Sequence, residues 1–107
     1  MKATWQVELD NALRSRLNGN EGRARVCARR AAGMAAQAFL TRRGIRLGTS
    51  SAYDALRFLE QFPALPADMR VTASHLTVRL TEEFILPVDV DLIAEAKKLI
   101  DGLENHG

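Results

Sequence analysis

The chain has 107 residues, 47% of them apolar and 26% charged, with 7 Gly, 3 Pro and 6% aromatics. That balance excludes collagen-like and low-complexity classes, and the length leaves room for one modest core, so a single domain over residues 1–107 is expected. The formal charge of +2 conceals an asymmetry: residues 14–46 hold nine arginines against Glu21 alone, while residues 47–107 hold five basic and ten acidic side chains.

A single cysteine, Cys27, excludes an intramolecular disulfide, and with no second thiol or histidine pair beside it a zinc cluster is not expected. No metal or cofactor is implied. Glu8 and Asp10 arrive before any apolar run, unlike a secretory signal, and no apolar stretch approaches about 18 residues. A cytoplasmic protein without membrane attachment is the expectation.

Five segments have helical periodicity. Trp5, Leu9, Ala12, Leu13 and Leu17 recur at helical spacing until Asn18, Gly19 and Asn20 supply residues that tolerate a left-handed turn. The second segment, 21–43, is the longest. Ala24, Cys27, Ala28, Ala31, Ala35, Ala38 and Phe39 form one stripe on it, and Gly44 supplies the stop. Thr49, Ser50 and Ser51 offer N-caps for a third helix that turns Ala52, Ala55, Leu56 and Leu59 inward and ends before Pro63. Pro66 opens a fourth helix that the pattern carries to about Phe84, with Met69, Ala73, Leu76, Leu80 and Phe84 on its core side. After Pro87, either Asp89 or Asp91 can cap a last helix built on Leu92, Ile93, Ala96, Leu99, Ile100 and Leu103, with Gly102 and Gly107 marking its fraying end. Short connections between such helices predict a small all-α, antiparallel up-and-down bundle.

Two helices carry apolar residues on a second face. Val71 and Val78 point away from the core side of the fourth, and Val26, Gly33 and Leu40 run opposite the alanine stripe of the second. Such faces suit a second copy of the chain, although scattered surface valines are common. Gly33 reads either as a close helix approach or as a glycine tolerated among alanines. The arginine block, including Arg25, Arg29 and Arg30, suits RNA, a nucleotide, or the acidic half of the same fold or of a partner.

Arg70 and His75 are the residues that resemble catalytic equipment. Five positions apart, they lie about 140° around an ideal helix and cannot act together on one face. Across a two-fold axis, Arg70 of one protomer can approach His75 of its partner. Histidine transfers protons near neutral pH and arginine stabilises a phosphorane-like charge, which is what metal-independent RNA cleavage by the ribose 2′-hydroxyl needs. The competing reading is a half-buried histidine bonded near Arg79 or to Glu82.

In order and spacing, residues 20–103 resemble the HEPN (higher eukaryotes and prokaryotes nucleotide-binding) family. The alanine-rich stretch 24–45 ending at Gly44-Ile45 resembles its long second helix, 51–59 its short third helix, and Arg70 followed after four residues by His75 its ribonuclease signature. The resemblance implies a helical homodimer in which His75 activates the 2′-hydroxyl and Arg70 steadies the phosphate. It also implies a toxin or defence role, frequently beside a small nucleotidyltransferase antitoxin. Val71 departs from the polar residue common after the arginine in active members, and the family includes non-catalytic modules that bind nucleotides or partners. Such a module, binding through Arg25, Arg29 and Arg30, is the alternative, and a helical adaptor sharing only the architecture is a third.

Overall fold

Two left-handed glycines set the first half of the chain. Gly19 at φ +77° follows α1 (Thr4–Leu17) and Gly44 at φ +77° follows α2 (Glu21–Arg42). Each closes its helix with a Schellman pair: Gly19 N–H to the Arg16 carbonyl and Asn20 N–H to Ser15, then Gly44 N–H to Thr41 and Ile45 N–H to Leu40. The Asn20 side chain then accepts from the Arg23 amide and starts α2. The computed structural model describes residues 4–78 and 89–106, and adds α3 (Ala52–Glu60), α4 (Ala67–Thr77) and α5 (Leu92–Asn105). The described residues contain no strand. Ser51 caps α3 by accepting from the Asp54 amide, and Asp91 caps α5 by accepting from Ile93 and Ala94.

The protein is an all-α bundle. α2 is its hub, packing on α1, α3 and α5, while α4 bridges α3 and α5. Its alanines let neighbours approach closely, and the larger side chains that fill the core come mainly from elsewhere: Leu56, Leu59, Leu65, Leu76, Leu99, Ile100 and Leu103, with Phe39 of α2 among them. The buried apolar residues form one cluster. Among the described residues no helix is long and apolar enough to cross a membrane.

Three expectations are corrected. α4 ends at Thr77, with Val78 extended at φ −66° and ψ 133°, so Val78 leaves the helix and the seven-residue face shared with Val71 is not formed. Leu80, Phe84 and Pro87 fall outside the described residues. On α2, Ala38 is exposed, whereas Gly33 and Leu40 of the supposed second face are buried inside the chain. A Cβ built on Gly33 would lie 2.3 Å from the Ala52 Cβ and 2.5 Å from its Cα, so the glycine admits the start of α3. Gly102 likewise belongs to the body of α5, against the Met69 thioether, and marks no frayed end. On α1, Leu9 and Ala12 face the core, while Leu17 is 86% exposed.

Much of the basic block is used within the bundle. Arg16 donates Nε and Nη2 to Glu21 at 2.9 and 2.7 Å and Nη1 to Asp91 at 2.9 Å, joining the end of α1 to the starts of α2 and α5. These hydrogen bonds from Arg16 are the main cause that holds both carboxyl groups below their ordinary range. A carboxyl whose folded pKa is depressed stabilises the fold above its unfolded value and loses that contribution as pH falls through the folded one. The three side chains are partly exposed, so screening leaves about 0.5–1 kcal/mol. Arg16→Met is therefore expected to lower the melting temperature at pH 7 and to converge on the wild type at an acid pH where both carboxyl groups are protonated in the folded protein. A gap of equal size at both pH values in thermal denaturation would instead assign the loss to packing.

Candidate functional site

α4 is positioned from both sides. Met69, Thr72, Ala73 and Leu76 bury one face at helical spacing, and the Thr72 hydroxyl donates back to the Asp68 carbonyl at 2.9 Å. Pro66 precedes the helix and Asp68 lies in its first turn, as expected for a positive helix end. At the other end, Arg29 of α2 donates Nε to the Leu76 carbonyl at 2.9 Å and Nη2 to the Val78 carbonyl. Thr77 Oγ1 lies 2.9 Å from the Ser74 carbonyl and 3.1 Å from a Glu60 carboxylate oxygen of α3, two acceptors that share its one hydroxyl proton. Carbonyls at a helix end need partners, and a guanidinium is a strong one. Arg29 thus terminates α4, whereas its sequence neighbourhood suggested a phosphate ligand. Removing it by Arg29→Met is expected to cost about 1–3 kcal/mol and to speed hydrogen exchange in the last turn of α4. Unchanged exchange there would show that the carbonyls are satisfied without it.

His75 sits in that last turn with 27% of its side chain exposed. Its Nδ1 pairs with Glu95 Oε1 from the first turn of α5, and the carboxylate is 14% exposed. The partner expected from sequence was near Arg79 or at Glu82, both outside the described residues; the partner found comes from another helix. With Nδ1–H donated to the carboxylate, a neutral imidazole presents the lone pair on Nε2, for which no described residue is a partner. This tautomer is the one a general base uses.

Arg70 lies one turn inside the start of α4, half-buried, and its Nε has no hydrogen-bond partner among the described residues. It is not bonded to His75 within the described part of the chain, in keeping with their separation around the helix. Exposed Val71 (53%) stands next to it on the chain.

The remaining arginines singled out by sequence do not converge. Arg25 lies 3.7 Å from Glu21 and is 26% exposed; Arg30 lies 3.8 Å from Glu8 and is 60% exposed. Farther along, Arg42 donates to the Leu103 carbonyl at 3.4 Å and Arg43 lies 4.7 Å over the Phe39 ring. Two of these contacts are ion pairs with carboxylates outside the acidic half of the chain, and the other two are a carbonyl hydrogen bond and a ring contact; it is Arg16, through Asp91, that reaches the acidic half. Among the described residues no three His, Cys, Asp or Glu side chains gather as metal ligands. Sequence reasoning missed Glu95, since no spacing rule links positions 75 and 95 across a connection of unassigned path. Comparison of the chain with protein-family models, curated proteins and solved structures finds no match.

Proposed function

We propose that the chain is a HEPN-like ribonuclease domain that cleaves RNA without a metal, at a composite site formed by Arg70 of one protomer and His75 of its partner. The observation that carries this reading is the His75–Glu95 pair, which orients the imidazole and leaves Nε2 as its basic nitrogen. In the reaction, Nε2 removes the proton of a ribose 2′-hydroxyl, whose oxygen forms a bond to the adjacent phosphorus as the P–O5′ bond breaks; the departing 5′-oxygen takes a proton from water to become the 5′-hydroxyl, and the imidazolium returns its proton to solvent. Arg70 stabilises the charge on the phosphorane oxygens, and a 2′,3′-cyclic phosphate remains. A toxin-like role in the cytoplasm, restrained by a nucleotidyltransferase-type antitoxin, is the setting that the family resemblance suggests.

The alternative is a non-catalytic module that binds a nucleotide or a partner through Arg25, Arg29 and Arg30. Its support is the exposure of Arg30; Arg29 is engaged with the end of α4.

Purified protein incubated with single-stranded RNA in EDTA tests the first reading. Cleavage is expected, with loss in both Arg70→Ala and His75→Ala. Mixing those two variants is the sharper assay, because half of the random dimers then contain one intact composite site, and about a quarter of the activity returns. Cleavage that persists in either variant, or a mixture that stays silent, defeats the composite site. Salt-sensitive nucleotide binding without turnover, weakened by Arg30→Gln, would favour the alternative.

A further inference from the structure

A cavity of about 940 Å³ opens between the first turn of α1, the middle of α2 and the chain leading into α3. Trp5, Met34 and Ala38 line it with apolar surface, and Gln37 and Thr49 with polar groups. Gln37 Nε2 already donates to the Thr49 carbonyl at 2.7 Å, which fixes this polar wall in place. Arg30 is the one ionisable side chain among the described lining residues. Its side chain is 60% exposed, and the guanidinium meets Glu8 at 3.8 Å, beyond hydrogen-bonding distance. Apolar walls with few fixed polar groups, at this volume, are the properties of a small-molecule site.

We propose that this cavity binds a monoanionic amphiphile, with an apolar body of about ten carbons against Trp5, Met34 and Ala38 and a carboxylate on Arg30. Arg30 stands exposed at the mouth of the cavity, and its loose pairing with Glu8 leaves donors to engage an anionic head. Neither Arg70, His75 nor Glu95 lines the cavity, so the proposal stands apart from RNA cleavage.

Trp5 is the only tryptophan of the chain, so its fluorescence reports on this site alone. Decanoate, 1-decanol and decylammonium share a chain and differ in head group. Titrated into the full-length protein below their micellar concentrations, decanoate is expected to shift Trp5 emission saturably with one site per chain, and decylammonium to bind at least about tenfold more weakly. Arg30→Gln is expected to weaken decanoate about tenfold and to leave 1-decanol unchanged. Ala38→Phe, at an exposed wall position, is expected to block all three. Equal binding of the three probes, wild-type affinity in Arg30→Gln, unsaturable partitioning, or no change in Trp5 emission with decanoate each overturns the proposal.

Discussion

Replacing His75 with alanine is expected to slow RNA cleavage by about 10²–10⁴-fold, the range that a positioned general base supplies. Among the described residues, His75 is the histidine whose ring nitrogen pairs with a neighbouring carboxylate. In the proposed reaction Glu95 acts through that ring, so Glu95→Gln, which keeps an acceptor oxygen and removes the charge, is expected to lower the rate by about 10–10²-fold. Because Glu95 has no effect of its own on the substrate, adding Glu95→Gln to His75→Ala is expected to cause no further loss. A purely structural pairing would behave differently: both single variants would lose thermal stability and cleave at the wild-type rate. Additive losses in the double variant would likewise remove Glu95 from the role of positioning residue.

The second large effect concerns α2. In an exposed helix, replacing Gly33 with alanine would stabilise by about 1 kcal/mol. Here the new methyl would fall 2.3 Å from the Ala52 Cβ and 2.5 Å from its backbone Cα, at the point where α3 begins. Backbone cannot yield as a side chain does, so α3 must move, at an overpacking cost of about 1–3 kcal/mol or more. Gly33→Ala is expected to be destabilising by about 2 kcal/mol net, lowering the melting temperature by roughly 10 °C in a domain of this size. Gly102→Ala provides the control. Its Cβ would lie 2.7 Å from the Met69 Cε, the far end of a flexible side chain that can turn aside. That variant is expected to stay within about 1 kcal/mol of the wild type. Circular dichroism melts that rank the two glycines equally would show that the contact with Ala52 relaxes without cost.

The two glycines also mark where the reading of the sequence stopped. Gly33 was recognisable as a site of close approach or as a tolerated glycine, and the tertiary contact with Ala52 distinguishes them. Gly102 looked like a helix end because glycine is common there; packing against Met69 keeps it inside α5. The exposed valine pair on the fourth segment failed for a related reason. Its periodicity continues past Thr77, whereas the helix stops there and its end is bonded by Arg29, a residue 47 positions before Leu76.

The order of the five helices, the turn at Gly19, the stop at Gly44 and the short capping stretches that contain Ser51 and Asp91 were legible because each depends on residues within one turn of one another, while the choice of Ser51 over Thr49 or Ser50 and of Asp91 over Asp89 was left open. The inward faces of α3 and α5 were legible from period alone, since Ala55, Leu56, Leu59, Leu99, Ile100 and Leu103 are all buried. Partners distant along the chain were decided by the tertiary structure. The same arginine-rich run could serve an external phosphate or an internal carbonyl, and only the packing of the helices directs Arg16 of α1 to Asp91 and Arg29 of α2 to the end of α4. Likewise, His75 was visible as a candidate residue, while its pairing with Glu95 was not: local preference places a side chain on a helix face, and the folding of α5 beside α4 determines what that face meets.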